Sequence, residues 1–382
     1  MNVKKRMLSI LLSVTVVIVP MMQVPAYATD VKNPFASVGQ EKAETCAKQL
    51  IVDTTTSDFF EDWPWNSTTK IQSTVPMYDY DGNVNAYLFR LNTDGVQQGY
   101  IVVNATEGSF GVESYSGSGD FAADIMAQRR LGHPMQASDK IIHHSMMDFA
   151  VQKNGQLLNL ESNQVISASK SELKQSYAKA LQLQAKSNQI EPASSWDGNY
   201  TVKGASGWSP YVTSDFPQDN KCAPTAATNV IHYWGTRSSD VSATTRSRLW
   251  SGQVYLELAN LIGFHEIGGS NPLLMRSALI NYGKNRNAPA LGDDQRYYSA
   301  IDWAFIVNAI KSNIPVMLCT NFAYDSSQKY DFTYHMFVAV GYNRSSSTID
   351  LLVVDGWHRI VDTVYHYNNA QYLQAAAYAR WA

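Results

Sequence analysis

Lys221-Cys222-Ala223-Pro224-Thr225-Ala226-Ala227-Thr228-Asn229-Val230-Ile231-His232-Tyr233-Trp234-Gly235 is the stretch from which the rest of the chain is read. Apolar residues at 223, 226, 227, 230, 231 and 234 fall on one face of a helix. Pro224 suits the first turn, where its missing N–H is not needed, and Gly235 suits the stop. Cys222 is thereby placed at the amino end of a largely buried helix. Unpaired N–H groups and the helix dipole favour the thiolate there, which is the nucleophilic form. A small core cysteine is the plain alternative, and the rest of the chain has to decide.

Downstream, Tyr334 to Tyr342 and Ile349 to Trp357 are rich in β-branched and aromatic residues and read as two strands around the polar segment Asn343–Thr348. Folding them about Ser345 brings His335 opposite Asp355. Facing residues of an antiparallel pair have Cβ atoms roughly 4.5–5.5 Å apart, so the Asp355 carboxylate is placed to orient the His335 imidazole. A slip of one residue would send one of them to the other face. Other histidines fall out on reach or context. His232, ten residues along the Cys222 helix, lies about 15 Å away at 1.5 Å per residue. His265 sits with Glu266 in a glycine-rich loop, and His358 beside the hairpin end is a weaker alternative base.

A helix-borne Cys followed by a strand-borne His and a carboxylate resembles the papain-like cysteine peptidases, in which the imidazole deprotonates the thiol and a third group holds the ring. The words Cys-Ala-Pro-Thr-Ala-Ala-Thr-Asn, His-Met-Phe-Val-Ala-Val-Gly-Tyr and Val-Asp-Gly-Trp narrow the resemblance. They are similar to the bacterial peptidases related to double-glycine leader peptidases and to streptopain, over roughly residues 205–382. The resemblance implies catalytic Cys222, His335 and Asp355. It also implies an oxyanion donor ahead of the nucleophile. Gln218 is the candidate, with Asn220 as a rival, although Gln218 stands only four residues before Cys222, closer than is usual in such families. Ala223 stands where a Gly is common. Trp357 is placed either to pack over the His or in the core.

Residues 1–28 carry Lys4, Lys5 and Arg6, an apolar run from Met7 to Val19 and an Ala26-Tyr27-Ala28 ending. This reads as a secretory signal cut before Thr29, and no later stretch is long enough to span a bilayer. The expected location is outside the cell, free or held at its surface. The chain has three cysteines, Cys46, Cys222 and Cys319, which is sparse for an exported protein held by disulfides. A Cys46–Cys222 or Cys222–Cys319 bridge would block the nucleophile, and the sequence leaves both open. Neither a phosphate loop nor a metal motif occurs, so no cofactor and no metal are expected. A net charge of −3 gives no reason to invoke nucleic acid.

With 382 residues the chain can build two cores. The expectation is an α+β architecture: a signal over 1–28, a smaller pro-region-like α+β domain over 29–186, a polar linker over 187–198, and a papain-like domain over 199–382. In the first half, Glu41–Val52 reads as a helix, and 86–91, 99–103 and 108–112 read as strands, with Asn92-Thr93-Asp94-Gly95 as a turn. Ser169–Lys186 is helix-compatible. Segment 76–118, running into Tyr115-Ser116-Gly117-Ser118-Gly119, resembles the pro-region of streptopain-type zymogens. In the second half, helices are expected near 223–235, 254–263, 271–283 and 300–312. Strands are expected near 314–320, 334–342, 349–355, 360–367 and 374–381. The functional expectation is a secreted, zymogen-like cysteine endopeptidase acting on peptide or protein substrates, its own pro-region lying over the site. Two alternatives stay open: a transglutaminase-like acyl transferase using the same three residues, and a secreted binding or adhesion protein on a peptidase fold.

Overall fold

The computed structural model describes residues 35–56, 63–145, 148–160, scattered positions from 163 to 175, and 198–217, 221–264, 270–297, 303–320, 335–345, 348–366 and 373–382. The expected signal over 1–28, nearly all of the 169–186 helix-compatible segment and the expected linker up to residue 197 lie outside the described residues. So do Gln218, Asn220, His265 and Glu266.

Helix α1 (Gln40–Thr56) opens the first half and lays Ala43, Ala47 and Ile51 against the sheet. Strands β1 (Lys70–Tyr78), β2 (Val84–Thr93), β3 (Val96–Asn104) and β4 (Gly111–Ser116) follow as a meander. The β2–β3 turn is tight because Asp94 and Gly95 both take positive φ, 54° and 85°, the pair that a twist-matched two-residue hairpin requires. β4 starts three residues later than the 108–112 segment expected of it. Ser109 N–H bonds the Thr106 carbonyl and the two hydroxyls meet at 2.7 Å, so Gly108 and Ser109 are spent on a turn. Helix α2 (Ala122–Leu131) and strands β5 (Ile141–Ser145), β6 (Asp148–Lys153) and β7 (Gln156–Asn159) complete this half.

The second half begins with β8 (Gly198–Thr201) and continues through helices α3 (Cys222–His232), α4 (Ala243–Leu249), α5 (Val254–Leu261) and α6 (Met275–Asn285). Strand β9 (Gly292–Tyr297) and helix α7 (Trp303–Lys311) come next. Strands β10 (Val316–Thr320), β11 (His335–Ser345), β12 (Thr348–Val354), β13 (Thr363–His366) and β14 (Leu373–Arg380) close the chain. The α+β class is as expected. β9 and α4 had no apolar period to announce them: Gly-Asp-Asp-Gln-Arg-Tyr is a polar strand at the sheet edge, where charge blunts unwanted pairing.

One sheet runs β7-β6-β5-β1-β2-β3-β4-β13-β12-β11-β10-β14-β9, with β8 also pairing β11. Its neighbours are antiparallel except β1 and β5. The two halves of the chain therefore meet edge to edge. β4 pairs β13 through Ser116↔Thr363, Tyr115↔Val364 and Ser114↔Tyr365, and a single apolar core extends from Val38 to Trp381. Tyr115 reinforces the seam by donating from its hydroxyl to Asp350, at 2.9 Å.

Candidate active site

Cys222 is the first residue of α3, with only 7% of its surface exposed. The helix forms here because Ala223, Ala226, Ala227, Val230 and Ile231 bury one face. It packs against β10 and β11. Its stop differs from the expected one: the α-helix ends at His232, and Tyr233–Arg237 form a wider π turn that closes with Ser238 N–H on the Tyr233 carbonyl. The chain entering Cys222 is tied down from inside the helix. Asn229 accepts from Tyr211 N–H at 2.8 Å and donates to the Tyr211 carbonyl at 2.9 Å. It is also tied to the loop after β12, because Thr213 N–H donates to the Gly356 carbonyl at 2.7 Å and Asp215 pairs with Arg359.

His335 opens β11 and is fully buried. Its neighbour on β10 is Thr320, whose hydroxyl donates to the His335 carbonyl at 3.1 Å. Trp357 lies flat on the imidazole, with ring centroids 4.0 Å apart and planes 11° from parallel. Nε2 meets the main-chain oxygen of Asp355 at 2.8 Å. A carbonyl only accepts, so Nε2 carries the proton, and in the neutral ring Nδ1 is the basic nitrogen. Cys222 lies close enough to β10 for its charge to act on Cys319. Burial, and after it the charge of Cys222, push the Cys319 thiol well up, and Cys319 is paired with Met336, one residue beyond His335. The helix that begins at Cys222 thus packs on the two strands that carry Cys319 and His335.

Asp355 is the residue whose position differs from expectation. The hairpin closes through Ser345↔Thr348, not about Ser345, and an irregularity between Ala339 and Gly341 shifts the ladder before Val338↔Val354. Continued from there, the register puts Trp357, not Asp355, across from His335. Asp355 still holds the ring, but through its backbone oxygen. Its carboxylate points away, accepting from Trp357 N–H at 2.9 Å, from His358 N–H at 3.1 Å and from His358 Nδ1 at 2.6 Å. The Tyr365 hydroxyl adds a longer contact at 3.4 Å. Burial would raise this carboxyl, but the His358 charge and the hydrogen bonds outweigh it and hold it below the usual range. Without the shift between Ala339 and Gly341 the closing pair would set His358 across from His335, so the difference comes chiefly from where the turn closes, at Ser345↔Thr348, and the bulge moves the register back by one residue.

The other sequence candidates are placed as follows. His232 is clasped by Trp208, whose indole N–H donates to Nδ1 at 2.9 Å, and by Tyr211 and Trp250. Burial, followed by Arg237, lowers its pKa to about 4, so it is a neutral core ring. Cys46, Cys222 and Cys319 form no disulfide with one another. A cavity of about 630 Å³ lies on the helical side, walled by Tyr211, Phe216, Trp250 and Tyr255 and floored by Thr228. Neither Cys222 nor His335 lines it.

Residues 207–382 match the model of a family described as the Peptidase_C39 like family. No curated protein matches the chain. Among solved structures, a fragment of prointerpain A from Prevotella intermedia aligns at 13% identity over 80% of this chain and 97% of its own, with a TM-score of 0.43. A digestive procathepsin L2 proteinase from Tenebrio molitor larval midgut aligns at 13% identity over 50% of this chain and 69% of its own, with a TM-score of 0.26.

Proposed function

We propose that this chain, whose residues 207–382 match the model of the Peptidase_C39 like family, is a secreted, zymogen-like cysteine endopeptidase using Cys222, His335 and Asp355. The observation that carries the proposal is the fixed tautomer of His335. With Nε2–H on the Asp355 carbonyl, Nδ1 takes the Cys222 proton, and the thiolate attacks a peptide carbonyl. The developing oxyanion is met by the Cys222 backbone N–H and by Gln218 or Asn220. His335 returns its proton to the leaving amine, and water activated by the same nitrogen then frees the acyl group. Trp357 shields the His335–Asp355 bond from water and keeps it strong.

An active-site-directed thiol epoxide should modify Cys222 alone and stop hydrolysis of unfolded casein in proportion to the label. Adducts spread over Cys46 and Cys319, or full labelling with hydrolysis intact, would reject the assignment.

The proposal takes residues 29–186 as a pro-region. Its support is the seam, where Tyr115 to Gly119 lie on the segment 355–366 that also positions His335. Limited proteolysis should cut within 187–198, because exposed polar segments are preferred sites. The two pieces should still co-elute, held by the β4–β13 ladder, and the nicked complex should hydrolyse casein faster than the intact chain. Unchanged activity in a complex proven nicked would make the first half a permanent part of the enzyme.

A further inference from the structure

His358 has no role in the chemistry above, yet it is buried against the residue that holds His335. We propose that His358 is a positioning residue of this peptidase: an imidazolium wedged between the Asp355 carboxylate and the Asp120 carbonyl, fixing the 355–358 turn so that the Asp355 main-chain oxygen stays on His335. The proposal rests on the reading of Cys222 and His335 as the reacting pair.

The protonation state follows from the partners. Nδ1 faces the Asp355 carboxylate at 2.6 Å, and Nε2 faces the Asp120 carbonyl. Both are acceptors, so a ring bearing two protons satisfies both, and a neutral ring satisfies only one. The Thr363 hydroxyl, 3.1 Å from Nδ1, can turn its oxygen to the same proton. The titratable groups around the ring favour the cation. Asp355 lies on its own turn, Asp362 follows on the same loop, and Tyr100 stacks on it from β3 at 6.3 Å. Tyr365 shares Asp355 from β13, and Glu113 on β4 acts on both tyrosines. Burial alone would lower the His358 pKa; the Asp355 charge and hydrogen bond override it and hold the value at about 9.

The turn converts that charge into geometry. The Asp355 Oδ1 atom accepts the N–H groups of Trp357 and His358, an Asx-type arrangement, and Gly356 supplies φ +84°. Together these aim the Asp355 carbonyl at Nε2 of His335 and lay Trp357 over the ring. The first half of the chain closes the wedge. Ser116 and Ser118 donate to Asp362, and Gly117 N–H donates to the Asp362 carbonyl at 3.1 Å. Gly119 passes so close that a Cβ there would stand 2.8 Å from Nε2 of His358. The Tyr115–Gly119 segment thus shapes the active site from behind and does not only lie beside it.

The test compares wild type with His358→Gln, Asp355→Asn/His358→Gln and Gly119→Ala, reading casein kinetics, the pH profile of Cys222 alkylation by iodoacetamide, and Tm. We expect His358→Gln to lower kcat tenfold or more with KM within about twofold. The onset of Cys222 labelling should move up toward the unassisted thiol value of about 8.5. The double variant removes the unpaired buried carboxylate and should restore Tm and part of the labelling profile. Gly119→Ala pushes the ring from the other side and should shift the profile in the same direction; it serves if His358→Gln does not fold. A Tm loss in folded variants with kcat and the labelling profile unchanged would overturn the proposal. Wild-type Cys222 labelling no faster than Cys46 at pH 6 would instead reject the underlying Cys222–His335 reading.

Discussion

Cys222→Ser should lower kcat on casein by on the order of 10⁴-fold or more, the scale of loss when a nucleophile is removed from such a constellation. The far-ultraviolet spectrum should stay the same, because Sγ and Oγ are close in size and α3 is held by Ala226, Ala227, Val230 and Ile231. The other two cysteines serve as internal controls. Burial pushes the Cys46 thiol up against a smaller effect of the Val112 backbone, and burial followed by Cys222 pushes Cys319 well up. Iodoacetamide at mildly acidic pH should therefore label Cys222 first. Equal rates at all three thiols, or hydrolysis surviving in the Ser variant, would remove Cys222 from the mechanism.

Asp355→Ala should cost roughly 3–5 kcal/mol of stability, the range for breaking a buried pair and stranding its partner. The stranded group is the His358 imidazolium, and the N–H groups of Trp357 and His358 lose their acceptor as well. Asp355→Asn should cost less, since an amide oxygen can still take both N–H groups. The pair also sets a pH window. The folded-state pKa of Asp355 is depressed, so its contribution is complete above about pH 3.9 and is lost as pH falls through the depressed value. That of His358 is raised from 6.5 to about 9, so its contribution is complete below 6.5 and is lost as pH rises through about 9. Thermal melts from pH 4 to 10 should show wild type losing stability between about 6.5 and 9, with this loss absent in Asp355→Asn/His358→Gln. Parallel curves for the two proteins would show that the pair does not titrate in this window.

Much of the catalytic half was legible because the signals are local. Apolar spacing in 223–234 is enough to make a buried helix that starts at Cys222, since one face must leave water. Runs such as Met336–Val340 and Leu351–Val354 are strands for the same reason, and the order Cys, His, Asp along the chain carried the family resemblance. What sequence could not settle was anything depending on a residue far away or on one irregular pairing. The register of β11 on β12 turns on the closing pair Ser345↔Thr348 and on a bulge at Ala339–Gly341; together they set Trp357 across from His335, with the Asp355 carbonyl on His335 and its carboxylate on His358. The join of β4 to β13 links residues more than two hundred positions apart. Side-chain alternation along either strand is satisfied with many partners, so only the assembled core selects this one. His358 was the least visible of all. Its neighbours in sequence are Trp357 and Arg359, whereas its charge depends on the Asp355 carboxylate folded back by a turn and on a carbonyl at Asp120, both brought to it only by tertiary packing.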